Sequence, residues 1–212
     1  MEKNIQVRTR KYSIAALLLI FVHTCSFAQS LDIRLLRSLN HRTSGGDALM
    51  VPVTNSVYPI AAAVPLGELI YGYAKHDTSV VINGWQAVTG VGVNFVVAFS
   101  LKYAVNRARP YASYADINPY QHDTDPSFPS GHTSFAFETA TMVTMQYPKW
   151  YVIVPSYAWA STVGYSRMYL GMHYPTDVLA GALVGTASAW LSIKGTQWLR
   201  NHKHKRLAIE PH

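Results

Sequence analysis

SVVINGWQAVTGVGVNFVVAFSL, residues 79–101, carries no charged side chain from end to end. At 1.5 Å per residue a helix of this length reaches across the hydrocarbon core of a bilayer, roughly 30 Å thick. Four further runs share its character: Ala48 to Gly67, Trp150 to Ser166, Val178 to Ile193, and Thr133 to Pro148, which only Glu138 interrupts. They are roughly 15 to 23 residues long, near the lower bound for membrane helices. They predict an all-α helical bundle of about five or six core helices.

The runs are not uniformly greasy. Asn55, Asn83, Gln86 and Asn94 interrupt them, and the mean hydropathy of the chain is only +0.05. A soluble helical bundle has this pattern, but so does a membrane bundle whose helices pack through Gly, Ser and Thr. Charge placement separates the two. With residue 29 outside, five crossings put Lys75, Lys149 and the Arg200 to Arg206 cluster on the inner side, as the positive-inside rule requires. A soluble bundle has no reason for that alternation. Lys75-His76-Asp77 and Pro148-Lys149 read as tight turns between helices, and Trp150, Tyr151, Trp190 and Trp198 sit near helix ends, where interfacial aromatics belong. The expectation is an integral membrane bundle.

The first 28 residues read as a signal peptide. Lys3, Arg8, Arg10 and Lys11 make a positive n-region, Ile14 to Val22 an apolar core, and Ser26-Phe27-Ala28 a small-residue cleavage site. An uncleaved anchor is the competing reading, but an apolar core of about nine residues is short of the roughly 20 that span a bilayer. Cys25, the single cysteine, leaves with the peptide, so disulfide and thiol chemistry are excluded from residues 29–212. Those residues form one domain without repeats, ending in a basic tail from about residue 200.

The net charge of +7 is concentrated at the ends. The n-region and the tail each contribute +3, which leaves +1 for the whole body of the chain. No basic face exists there for a nucleic acid, and the two ends serve as topology signals.

Two polar segments, Lys102 to His132 and Arg167 to Asp177, emerge on the same outer side of this topology. In SFPSGHTSFAF, residues 127–137, Pro129 and Ser130 mark a helix start, with Ser130 as N-cap. Free N–H groups and the positive dipole end then point outward, and Gly131 lets an anion approach the backbone. His132 stands beside that anion. Taken alone, PSGH is also what a plain capped helix with a surface histidine looks like. KYAVNRARP puts Lys102 and Arg109 about two helical turns apart, able to project from one face near a stop at Pro110. Alone, these are also an interfacial basic cluster. In SRMYLGMHYPTDVLAG, Pro175 suits the first turn of a helix, with His173 before it and Asp177 within it. The carboxylate is then close enough to fix the imidazole tautomer, leaving the other nitrogen as a nucleophile. Arg167 offers a bidentate fork for phosphate oxygens. His173 and Asp177 alone could equally be a satisfied polar pair at a helix start.

Read together as KxxxxxxRP, PSGH and SRxxxxxHxxxD, the three stretches resemble the type 2 phosphatidic acid phosphatase superfamily, which includes bacterial acid phosphatases and vanadium haloperoxidases. The resemblance covers roughly Ala48 to Trp198, with the motifs complete and in family order. It implies a phosphatase in which His173 is the nucleophile forming a phosphohistidine, Asp177 orients it, and His132 protonates the leaving oxygen and later activates water. It implies further that Lys102, Arg109, Ser130, Gly131 and Arg167 bind the phosphoryl oxygens, with no metal and no other cofactor. Three cations and a helix terminus supply the charge that phosphoryl transfer needs. His122, Asp123 and Asp125 read as a solvated substrate-access segment rather than a metal site; His202 and His204 belong to the basic tail. Glu138 is expected to face the bundle interior or the site.

The expected activity is hydrolysis of a lipid phosphate monoester or pyrophosphate at the outer, periplasm-facing side of a bacterial-type cytoplasmic membrane. Phosphatidic acid, phosphatidylglycerol phosphate, undecaprenyl pyrophosphate and lipid A phosphates are candidate substrates. Competing readings are a soluble periplasmic acid phosphatase, a vanadate-dependent haloperoxidase and a non-catalytic lipid-binding protein.

Overall fold

A computed structural model describes residues 30–207, with side chains to residue 202; the expected signal peptide lies outside the described residues. The described residues are helical and contain no strand. A short helix α1 (30–39) is followed by α2 (Ser44–Asn55), α3 (Val57–Lys75), α4 (Thr78–Val105), the single turn α5 (Pro110–Ser113), α6 (Gly131–Gln146), α7 (Trp150–Tyr169) and α8 (Pro175–Leu207). The expected all-α bundle is the observed one.

The apolar run from Ala48 to Gly67 is divided at Ser56 between α2 and α3. Pro59 stands in the first turn of α3 and has no N–H to offer Asn55, so the hydrogen-bond ladder breaks there. The two turns foreseen between helices are in place. His76 adopts a left-handed conformation (φ 54°) that ends α3, and Asp77 caps α4 by accepting from the N–H groups of Ser79 and Val80 at 3.0 and 3.3 Å.

Among the described residues, three stretches are long and apolar enough to cross a membrane: Ser44–Lys75, which takes in α2 and α3, Thr78–Ser113 and Pro175–His202. Five crossings were expected; α6 and α7 do not reach that standard. The reason is visible in α6, 16 residues long and enclosed by α3, α4, α7 and α8. Its Thr133, Ser134, Glu138, Thr139 and Thr141 are buried against protein rather than lipid, so it can be polar at low cost. Glu138 is directed into the bundle, against Gly90 and Met142. Trp150 and Tyr151 are exposed beside one turn, and Trp190 and Trp198 are exposed along the far half of α8.

Helices α6 and α8 approach closely because α8 carries Gly181 and Gly185 four residues apart. A Cβ on Gly181 would lie 2.6 Å from the Ser130 carbonyl, and one on Gly185 would collide with the Ser134 carbonyl. The same contact ties the start of α6 to the start of α8, where the Ser130 N–H donates to the Asp177 carbonyl at 3.0 Å. The chain order therefore brings the N-termini of α2, α6 and α8 and the C-termini of α4 and α7 to one end of the bundle. Helix α1 lies across that end, with Ile33 and Leu36 buried against Ile117 and Tyr174.

Candidate active site

Helix α6 begins as the sequence implies. Ser130 is its N-cap, extended at φ −68° and ψ 112°, and its Oγ accepts from the Thr133 N–H at 3.5 Å and lies 2.9 Å from Thr133 Oγ1. Gly131 and His132 then open the helix at the floor of a cavity of about 230 Å³. Lys102, Arg109, Arg167 and His173 line the same cavity, together with Tyr58, Gln121, Asp123 and Asp125. Six of the eight expected residues thus converge on one space. Ser130 does not line it, because its side chain is buried in the cap. Asp177 stands behind His173, fully buried.

Lys102 and Arg109 reach the cavity by a route other than the expected one. Helix α4 stops at Val105, where Asn106 turns left-handed at φ 48° and donates its N–H to the Lys102 carbonyl. Pro110 opens α5 instead of closing α4, and Arg109 is extended at φ −72° and ψ 154°. The two cations therefore share no helix face; they meet because the chain folds back on itself.

What lies between them is a carboxylate. Asp125 places Oδ2 2.7 Å from Lys102 Nζ and Oδ1 2.6 Å from Arg109 NH2, while Asp123 Oδ2 is 3.1 Å from Arg109 NH1. Lys102 Nζ also donates to the Pro126 carbonyl at 2.5 Å, and Arg109 Nε to the Asp125 carbonyl at 2.9 Å. His122, Asp123 and Asp125, read as a solvated access segment, are exposed or half-exposed, and Asp123 and Asp125 line the cavity; the two carboxylates have a second duty. A buried lysine and arginine side by side require a counter-ion, and this loop supplies it. Burial alone would raise the Asp125 carboxyl, but the hydrogen bond from Lys102 and the charges of Arg109 and Lys102 outweigh it and hold it down at about 2. His122 packs edge-on against Tyr111 and takes no part.

Arg167, near the C-terminus of α7, is 2% exposed and donates from NH1 to Thr54 Oγ1 at 2.9 Å. Its Nε has no hydrogen-bond partner among the described residues, and the side chain lines the cavity, where a guanidinium can donate to an anion.

His173 is 2% exposed, in the turn between α7 and α8. Its Nε2 lies 3.4 Å from Arg109 NH1. A guanidinium only donates, so Nε2 is the accepting nitrogen and the ring hydrogen resides on Nδ1. The expected hydrogen bond to Asp177 is not made: Nδ1 lies 3.6 Å from Oδ2. Ser127 explains the gap: its Oγ donates to Asp177 Oδ2 at 2.5 Å and lies 3.4 Å from His173 Nδ1. Burial pushes the imidazole down to about 4, opposed by the neighbouring Asp177 carboxylate and helped by the charges of Arg167 and Arg109. The ring is therefore neutral near pH 7, with the lone pair of Nε2 turned toward Arg109 NH1.

His132, which lines the same cavity, packs against Tyr58, ring centroids 4.8 Å apart. Tyr58, Ser127, Thr54 and Arg107 had not been singled out. Ser127 is the first residue of the quoted SFPSGHTSFAF stretch and Arg107 lies within KYAVNRARP, so both were in view. Tyr58 and Thr54 come from an apolar helix and carry no local signal.

The sequence model of the PAP2 superfamily matches residues 83–201. Undecaprenyl-diphosphatase BcrC of Bacillus subtilis is 27% identical over 165 residues, 78% of this chain and 82% of that protein. Lipid A 4'-phosphatase of Bacteroides thetaiotaomicron is 39% identical over 64 residues, 30% of this chain and 28% of that protein. The crystal structure of a transmembrane PAP2-type phosphatidylglycerolphosphate phosphatase from Bacillus subtilis superposes with a TM-score of 0.67 at 24% identity, covering 86% of this chain and 95% of that one.

Proposed function

The chain belongs to the PAP2 superfamily, and from that premise we propose that it is a membrane phosphatase that removes a terminal phosphate from a lipid monoester or pyrophosphate. The cavity lies at the end of the bundle shared by the α4–α6 segment and the α7–α8 turn, and the placement of Lys75, Lys149 and the basic tail supports a periplasm-facing site on a cytoplasmic membrane. The observation that carries the reading is the convergence of Lys102, Arg109, Arg167, Gly131 and two histidines on one cavity of about 230 Å³.

In the first step His173 Nε2 attacks phosphorus, forming a P–N bond as the bond to the lipid oxygen breaks. His132 gives its proton to that oxygen. In the second step His132 takes a proton from water, the water oxygen attacks phosphorus, and the P–N bond breaks to release inorganic phosphate. Throughout, Lys102, Arg109, Arg167 and the N–H groups at the start of α6 neutralise the three equatorial oxygens. The position of His132 beside Tyr58 puts the leaving group on that side of the cavity, where Tyr58 is half exposed.

Binding requires Asp125 to surrender Lys102 and Arg109 to the incoming phosphate. An internal competitor lowers apparent affinity by the fraction of molecules in which it has let go. Asp125→Asn is expected to bind orthovanadate about tenfold more tightly than the native protein, read from inhibition of phosphate release. Weaker binding would mean that Asp125 instead holds the two cations in place for the substrate.

Substrate class and address are tested together. The full chain is expressed and separated into membrane and soluble fractions, and each is assayed for inorganic phosphate released from phosphatidic acid, phosphatidylglycerol phosphate, undecaprenyl pyrophosphate, lipid A and p-nitrophenyl phosphate. Activity on a lipid in the membrane fraction is expected. Activity confined to the soluble fraction and to small esters would replace this reading with that of a soluble acid phosphatase, and binding of lipid without phosphate release would leave a non-catalytic protein.

A further inference from the structure

Arg107 reaches no cavity wall that holds the phosphate, yet it grips the residue behind the nucleophile. Its NH1 lies 2.6 Å from Asp177 Oδ1 and donates to Thr176 Oγ1 at 2.7 Å. Its NH2 lies 2.7 Å from Asp32 Oδ2, and its guanidinium stacks 3.9 Å above the ring of Tyr174. Asp32 belongs to α1, is 3% exposed, and also accepts from the Thr176 N–H at 2.9 Å. One planar fork therefore binds α1, the end of α4 and the start of α8 around the His173–Asp177 pair.

The remaining contacts of Asp177 complete the arrangement. Oδ2 accepts from Ser127 Oγ and from the Tyr174 N–H at 3.0 Å, while Oδ1 is taken by Arg107. The Ser127 N–H in turn donates to the Arg107 carbonyl at 2.8 Å, so the two residues that hold the carboxylate are fastened to each other. With both oxygens engaged, Asp177 has no freedom to rotate, and neither has the Ser127 hydroxyl that faces His173 Nδ1.

We propose that Arg107, held from behind by Asp32, is a positioning residue: it fixes Asp177 and Ser127, and through them the ring of His173, and it limits how much of the Asp177 charge that ring experiences. The role of Arg107 rests on the reading of His173 as nucleophile. Helix α1 then belongs to the active site although none of its atoms lines the cavity.

A bracket that merely held helices together would lower the amount of folded protein and leave the chemistry of the survivors alone. A positioning residue alters the ring itself, and the two ends of this bracket alter it in opposite senses. Without the Arg107 cation, Asp177 stabilises the charged imidazolium more, so the ring gains its proton at higher pH. Without the Asp32 anion, Arg107 spends more of its charge on Asp177, and the ring gains its proton at lower pH. The other charged and titratable groups facing His173, namely Arg109, Arg167 and His132, with Asp123 and Asp125 beyond Arg109, are common to all variants.

The test uses the detergent-solubilised full chain, with active sites counted by vanadate titration and kcat followed against pH on one lipid phosphate. Arg107→Gln is expected to lower kcat about ten- to a hundredfold with KM changed less than threefold, as for other residues that orient a reacting side chain. Its acid limb should move to higher pH, that of Asp32→Asn to lower pH, each by about half a unit or more. Arg107→Lys keeps the charge without the fork and should recover part of kcat. Limbs that stay at the native position, or that move in the same direction in both variants, overturn the assignment. If Arg107→Gln does not fold, Asp32→Asn alone decides: a limb that moves down supports the assignment and one that does not overturns it. A native protein that releases no phosphate from any substrate sinks the nucleophile reading instead, a result distinct from either.

Discussion

His173→Ala loses phosphate release by roughly 10⁴-fold or more, as removal of an enzymatic nucleophile does. The ring is buried in the cavity lining with Nε2 3.4 Å from Arg109 NH1, and Nδ1 carries the hydrogen. Alanine leaves the cations and the start of α6 untouched, so the variant keeps its fold and its ability to bind orthophosphate, but phosphorus has no nitrogen to accept it. Two measurements check this: steady-state release from a lipid monoester, and acid-labile, base-stable labelling of the protein after a brief exposure to radiolabelled substrate. The native protein should carry the label and the variant should not. A variant within tenfold of native turnover would mean that water attacks the substrate directly.

His132→Ala separates substrates by leaving group. General acid help is worth about 10²- to 10⁴-fold when the departing oxygen is a poor leaving group, and little when it is already acidic. Turnover of a lipid monoester should fall by that amount, while the first step on p-nitrophenyl phosphate should slow by less than about tenfold. The same ring activates water in the second step, so the phosphorylated protein should accumulate and p-nitrophenol should appear as a burst matching the number of sites. An equal loss on both substrates without a burst would remove His132 from both roles. The acid side of the profile has a defined sign. Because His173 is held down at about 4, the attacking form is present above that pH and is lost as pH falls through it, so activity at neutral pH does not wait on deprotonation of the nucleophile.

Local signals in the sequence were reliable where a residue's duty is local. Ser130 caps a helix, Pro175 begins one, and Lys75-His76-Asp77 turns the chain between α3 and α4, because caps and turns depend on a few adjacent atoms. The pairing of KYAVNRARP with SFPSGH and SRMYLGMH was legible because phosphate chemistry requires those residue types together. Arg109 was misplaced on the face of α4 because nothing in the spacing reveals that Asn106 turns left-handed first. The polarity of α6 looked like that of a marginal membrane helix, since a pattern of Ser, Thr and Glu does not say that four other helices enclose it. Ser127, Arg107 and Asp32 were missed for a related reason: their partners are 50, 70 and 144 residues away, and only folding brings them together.

When inorganic phosphate departs, two cations are left facing a void, and a bare lysine and arginine in so enclosed a place would hold the ion back. Asp125, 41% exposed and tethered within reach, can move in behind the leaving product. Exchange of one anion for another spares the protein a stage in which the charges stand uncompensated. The side chain that resists substrate on the way in thereby shortens the stay of product on the way out, and orthophosphate should be a poor inhibitor in spite of the cradle that fits it.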